Sequence, residues 1–237
     1  MELRLYREEH LARGLTSFTL TYKETDLWIA AKKDLSKEAL EIVKRTRKEL
    51  DEFISKYPSF LHSLTPIEMP KDAPPIALKM AEASKKVGVG PMASVAGAFA
   101  EVVGRELLKK SREVIVENGG DIFLSTKNGR LIAIFAGDSP LSGKIALKIS
   151  PGEMGVCTSS GTVGHSLSFG KADAVVVVSP DTLLADAAAT ALGNRVRSEE
   201  DIKEALRFAQ EIPGVKGIVV VKREKLGAWG EVELVPI

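Results

Sequence analysis

Val114-Ile115-Val116-Glu117-Asn118-Gly119-Gly120-Asp121-Ile122 reads as a buried strand, a tight turn and the start of a second strand. Two consecutive glycines permit the turn and let backbone N–H groups approach a ligand. Asp121 stands where the next strand begins. The same residues also suit an ordinary turn in which Asn118 and Asp121 bond their own backbone.

Upstream, residues 15–22 and 26–31 alternate apolar and polar side chains around Lys23-Glu24-Thr25 and predict a hairpin. Residues 36–57 follow a helical period, with Leu40, Val43, Phe53, Ile54 and Tyr57 among the apolar positions. Prolines 58, 66, 70, 74 and 75 punctuate the connection to a further helix, for which Asp72 is the expected cap and Gly88 the stop. A helix rich in Ala and Gly is expected from about Met92 to Lys110, where small residues admit a close partner helix or a ligand.

Downstream, strands are expected at 113–117, 121–125, 131–136, 144–149, 154–158, 163–168 and 173–178. Helices at 180–192 and 199–210 follow, then strands at 216–222, 225–229 and 231–235. Strands and helices come in separate runs, which argues for an α+β fold rather than a doubly wound sheet. A single domain over residues 1–237 is expected, with two strand-pair, helix-pair, strand-pair halves meeting near 110–125.

Of the 237 residues, 44% are hydrophobic and 27% charged, a globular composition. The 33 basic and 32 acidic residues leave a net charge of +1, so no overall field favours nucleic acid or an anionic membrane. The basic run Lys44-Arg45-Thr46-Arg47-Lys48 has acidic neighbours and fits a solvated helix face. The charged N-terminus lacks a signal-peptide core, no apolar stretch has transmembrane length, and Cys157 is the only cysteine. A soluble cytoplasmic protein is the expectation.

Several familiar motifs fail. Gly88-Val89-Gly90-Pro91-Met92-Ala93 formally matches a dinucleotide fingerprint, but a helical pattern precedes it where a strand is required. Ser142-Gly143-Lys144-Ile145 lacks the hydroxyl residue and glycine spacing of a phosphate loop. Cys157 and three histidines offer no zinc spacing, and no serine sits in a nucleophile elbow.

Two further segments join the Asn118–Asp121 turn as candidates. Cys157-Thr158-Ser159-Ser160 ends a strand with small donors suited to phosphate or a heterocycle edge, or simply makes a serine-rich turn. Cys157 itself is either a small buried hydrophobe or a reactive thiol. His165, between Gly164 and Ser166, is either a general base or ligand contact, or a structural histidine. The last segment is the helix after Ser179-Pro180, read with Ser179 as its cap and Gly193 as its end. Asp186 and Thr190 lie four residues apart and project from one face, offering hard oxygen ligands of the kind Mg²⁺ prefers. A capped alanine-rich core helix is the plainer alternative.

GPMASVAGAFAEVV, ENGGDI, GVCTSSG and ADAAATAL occur in an order that resembles the ApbE-like superfamily of FAD-dependent protein FMN transferases, over about residues 85–195. The chain is most similar to the short cytoplasmic branch, some members of which are linked to sulfur assimilation and homocysteine formation. The resemblance implies two T-fold-like halves with FAD bound between them. It places Asn118, Gly119, Gly120, Asp121, Thr158, Ser159, Ser160 and Met92 at the flavin nucleotide, and Asp186 and Thr190 on Mg²⁺. Ala96-Gly97 stands where transferases carry Lys-Gly. His165-Ser166-Leu167-Ser168-Phe169-Gly170 replaces their His-x-x-Asp-Pro-x-Thr-Gly segment.

Three functions fit: a flavin-nucleotide and Mg²⁺ site with transferase-related activity; a sulfur-handling enzyme with Cys157 as persulfide carrier; and a non-catalytic binding or assembly protein, with hairpin edges available for homo-oligomers. One glutamine and three asparagines, against abundant Lys, Arg and Glu, also resemble a heat-adapted composition. A melting temperature above the ~45–65 °C of ordinary mesophilic domains is therefore expected in calorimetry; a value inside that range contradicts the thermophilic reading.

Overall fold

The computed structural model describes residues 11–161 and 170–237. Its first half runs β1 (Thr16–Tyr22), β2 (Thr25–Ala31), α1 (Ser36–Lys56), α2 (Ser59–His62), α3 (Pro75–Lys85), a 3₁₀ turn (Pro91–Ser94), α4 (Val95–Leu108), β3 (Val114–Asn118) and β4 (Asp121–Thr126). It continues through β5 (Arg130–Ala133), β6 (Ile145–Ile149), β7 (Gly152–Ser159), β8 (Ala174–Ser179), α5 (Thr182–Gly193), α6 (Ile202–Gln210), β9 (Gly217–Lys222), β10 (Lys225–Gly230) and β11 (Glu233–Pro236). This is the α+β architecture that the separate runs of strands and helices predict.

Eight strands form one antiparallel sheet in the order β1-β2-β3-β4-β7-β8-β9-β10. Helices α1 to α4 lie in sequence between β2 and β3, and α5 and α6 lie between β8 and β9. A smaller antiparallel sheet, β11-β6-β5, supplies the remaining strands. The last strand therefore leaves its sequence neighbour β10 and pairs with β6 instead, with Leu234 opposite Leu147.

Side-chain alternation sorts the core into layers. In β8, Val175 and Val177 pack with the helices, whereas Ala174, Val176 and Val178 pack with Ile132, Leu147 and Ile149 of the small sheet. Both faces of the central strands are covered, which is why β8 and β9 read as continuous valine-rich runs. Helix α1 buries Ala39, Ile42, Val43, Thr46, Leu50 and Phe53 along one stripe. Lys44, Arg45 and Lys48 remain exposed on its other side, as expected for a solvated basic run.

Two helix starts differ from expectation. Asp72 does not cap α3, which begins at Pro75 without a side-chain cap; Asp72 instead pairs with Lys56 and accepts from the Tyr57 hydroxyl at 3.0 Å. Helix α5 is capped by Asp181, not Ser179. The Asp181 carboxylate accepts from Leu184 N at 3.0 Å, while Ser179 Oγ donates to Gly214 O at 2.9 Å. The expected Met92–Lys110 helix is divided into the 3₁₀ turn and α4. The strand expected at 163–168 lies outside the described residues.

Helix α4 approaches the sheet closely because Gly104 leaves room for the Phe123 ring. A Cβ at Gly104 would stand 2.1 Å from Phe123 Cδ1, and Phe123 is fully buried. Helix propensity favours Ala over Gly by about 1 kcal/mol. Overpacking costs typically about 1–3 kcal/mol and prevails here. Gly104→Ala should therefore lower unfolding stability by about 1–2 kcal/mol in urea titration; a stabilised variant would contradict this packing.

Candidate functional site

The Asn118–Asp121 turn joins β3 to β4, with Asn118 opposite Asp121 in the ladder. Gly119 and Gly120 have φ of 64° and 104°, the left-handed pair that a two-residue hairpin requires. Asn118 Nδ2 donates to Ala96 O at 3.1 Å and ties the turn to the start of α4. Gly120 lies against Thr158, where an added Cβ would meet Thr158 Cβ at 3.9 Å.

Register decides where Asp121 faces. Ile122 pairs with Val156, so Asp121 lies opposite Cys157 across the β4–β7 ladder. Ile122 and Val156 pack toward the small sheet, and Phe123 and Cys157 pack toward the helices. Asp121 shares the helix-facing side with Phe123 two residues on. Cys157 Sγ donates to Thr182 O at 3.4 Å, fixing the start of α5 above the same strand.

Helices α4 and α5 meet over these strands and cap each other. Gly97 N, a free amide of the first turn of α4, donates to Asp186 Oδ2 at 2.8 Å. In return Thr182 N, at the start of α5, donates to Glu101 Oε2 at 2.9 Å. The approach leaves no room at Gly97, where a Cβ would stand 2.7 Å from Thr182 O and 2.9 Å from Asp186 Cβ. Gly155 is equally constrained, its added Cβ falling 2.6 Å from Thr182 Cα. Glu101 is a member of the site that sequence reading overlooked. Its signal was one carboxylate, four residues after Gly97, inside the otherwise small and apolar run AGAFAEVVG.

The structure thus brings most of the expected residues together. Thr158, Ser159 and Ser160 are half-buried at the end of β7, and the end of α5 reaches them, with a Cβ at Gly193 3.2 Å from Ser159 Oγ. Thr190 is half-buried one turn beyond Asp186. Met92 is half-buried in the 3₁₀ turn and packs on the main apolar cluster. His165 lies outside the described residues.

The electrostatics follow from burial. Asp121 is held well above the usual carboxylate range by burial first and by the Asp186 charge second. Burial pushes Asp186 up to about 7, against the lowering effect of amide bonds from Gly97 and Ala96. Among the described residues neither carboxylate is ion-paired with Lys or Arg, and Asp121 Oδ1 is buried without a hydrogen-bond partner. Burial, then the charges of Asp121 and Asp186, also raises the Cys157 thiol. A fully buried thiol that resists ionisation has the properties of a packing residue rather than of a persulfide carrier.

A surface depression of about 530 Å³ between the β1–β2 turn and α1 shares no residue with this site. Its cations are engaged with acids, Lys23 with Asp51 at 2.8 Å and Lys44 with Glu41 at 3.3 Å.

The family model described as AbpE bacteria matches residues 8–227. The chain belongs to this ApbE-like family. It is 44% identical over 218 residues to a UPF0280 protein of Methanocaldococcus jannaschii, covering 89% of this chain and 88% of the relative. A UPF0280 protein of Methanocella arvoryzae is 41% identical over 211 residues, covering 88% and 86%. Among solved structures, the flavinyl transferase ApbE of Pseudomonas stutzeri superimposes with a TM-score of 0.59 at 15% identity, over 91% of this chain and 94% of that one. The flavin transferase ApbE of Vibrio cholerae gives 0.58 at 14% identity, over 91% and 96%. The ApbE-like fold is thereby shared. No helix among the described residues is long and apolar enough to cross a membrane.

The raised carboxylates of this ApbE-like chain make a signed prediction. Between the unfolded pKa of about 3.9 and the folded value, the native state holds protons that the unfolded state has lost. The stability contributed by the pair is full below about pH 4 and is lost as pH rises through about 7. In metal-free protein, the stability of wild type relative to Asp121→Asn should fall as pH rises from 4 to 8. A flat difference across that range in denaturant titrations would mean that Asp121 titrates normally.

Proposed function

We propose that this chain binds a flavin nucleotide, FAD, together with Mg²⁺, where the β3–β4 turn, the Thr158–Ser160 loop and α5 converge, and that its activity is related to flavin transfer. The observation that carries this reading is the unpartnered, buried Asp121 carboxylate oxygen beneath the helix that bears Asp186. Buried carboxylates without cationic partners suit a hard divalent cation, so the residues fit Mg²⁺. Asp121, Asp186 and Thr190 would hold it, and a bound Mg²⁺ supplies positive charge to phosphate oxygens. The backbone of Gly119 and Gly120 and the hydroxyls of Thr158, Ser159 and Ser160 would receive the nucleotide, with Met92 beside it. Membership of the ApbE-like family and the likeness to flavin transferases support the ligand class. Ala96-Gly97 in place of the transferase Lys-Gly directs the proposal to nucleotide binding first and transfer second. The reading describes a cytoplasmic protein whose partner is a small nucleotide, without nucleic acid or membrane.

Thermal unfolding with FAD and MgCl₂ tests it. Ligand at about a hundredfold its Kd should add about 2.7 kcal/mol of stability. The gain should require the metal and vanish in Asp186→Ala. No response to FAD, FMN or any other nucleotide would remove the proposal.

A further inference from the structure

We propose that Glu101 is a positioning residue for the cation site. By accepting the first amide of α5 it sets where Asp186 and Thr190 stand, and so how tightly the site takes a divalent metal. The inference deepens the FAD and Mg²⁺ reading and rests on it.

Four residues close a ring between the two helices. Gly97 and Glu101 stand one turn apart on α4, and Thr182 and Asp186 stand one turn apart on α5. Each helix presents an amide of its first turn and, one turn later, a carboxylate. Asp186 Oδ2 accepts the Gly97 amide at 2.8 Å, and Glu101 Oε2 accepts the Thr182 amide at 2.9 Å. A slide of either helix along the other breaks both bonds. Glu101 is itself held from the far side. Its Oε1 accepts from Arg105 Nε at 2.8 Å, and Arg105 Nη1 reaches Glu153 Oε1 at 2.7 Å.

The Thr182 amide has no second acceptor in reserve. Asp181, the side-chain cap of α5, is engaged with Leu184 N at 3.0 Å. Thr182 is fully buried, so without Glu101 its amide would lie unpaired in the interior. Relief requires the first turn of α5 to move, and Asp186 is only one turn away. There is no slack at that point. A Cβ at Gly97 would already stand 2.7 Å from Thr182 O and 2.9 Å from Asp186 Cβ. Mg²⁺ demands near-ideal octahedral geometry with oxygens at about 2.0–2.1 Å. A shift of α5 too small to unfold the protein is therefore enough to weaken the metal. The acceptor at position 101, rather than its charge, carries this effect.

The experiment uses the full chain with Mn²⁺ as the probe, an ion suited to the same octahedral oxygen ligands. Free Mn²⁺ is measured by electron paramagnetic resonance in the presence of FAD, FAD binding by flavin fluorescence, and stability by urea titration. Glu101→Met keeps a side chain of similar length and removes the acceptor. It should raise the Mn²⁺ Kd by about 10–100-fold, the range typical of partners that orient metal ligands. Glu101→Gln keeps an acceptor for the Thr182 amide and should bind Mn²⁺ as wild type does. Glu101→Ala is a second acceptor-free variant with the same expected loss as Glu101→Met. If a folded acceptor-free variant loses stability but binds Mn²⁺ as wild type does, Glu101 is structural only and the inference fails alone. It fails equally if Glu101→Gln weakens Mn²⁺ as much as Glu101→Met does, which would assign the effect to charge. If wild type takes up neither FAD nor Mn²⁺, the functional reading fails and this inference falls with it.

Discussion

The mutual capping of α4 and α5 is the constraint on which the rest of this structure depends. Each helix begins with amides that its own backbone cannot satisfy. Asp186 of α5 takes the Gly97 amide of α4, and Glu101 of α4 takes the Thr182 amide of α5. Both carboxylates are buried, so removing either would leave unpaired polar groups in the interior. The exchange also fixes the spacing between the helices. Only glycine fits at position 97, and only glycine at 155 admits Thr182 above β7.

That spacing decides what the site can hold. Alanines 185, 187, 188, 189 and 191 let α5 lie directly on the sheet and occupy its interior with backbone rather than bulk. Asp121 rises from β4 into the layer so formed, beside Cys157. The positive end of α4 meets Asp186, while nothing among the described residues meets Asp121 Oδ1. The cap thus makes Asp186 part of the frame, and the buried carboxylate oxygen without a hydrogen-bond partner stands at the strand.

Much of the frame was legible in the sequence. Period-two alternation located β1 and β2, and Asn118-Gly119-Gly120-Asp121 announced its own hairpin because two positive-φ residues are needed there. Local pattern failed where two local solutions compete. Ser179 and Asp181 are both good caps, and the choice fell to Asp181 because Ser179 is drawn to Gly214 O. It failed again where partners are remote: nothing in residues 233–236 announces that β11 pairs with β6. The Asp186–Gly97 bond spans 89 positions, so the sequence could mark both residues as notable without revealing that they meet. For that reason Asp186 reads from sequence as a metal ligand, and its capping role emerges only in three dimensions.

The most direct measurement is anomalous diffraction from crystals grown with MnCl₂ and FAD. The account predicts a manganese peak within about 2–2.5 Å of carboxylate oxygens of the Asp121–Asp186 pair, with flavin nucleotide density running from the ion past Gly119, Gly120 and the Thr158–Ser160 loop. A nucleotide bound elsewhere, or a metal seated away from both Asp121 and Asp186, would contradict it.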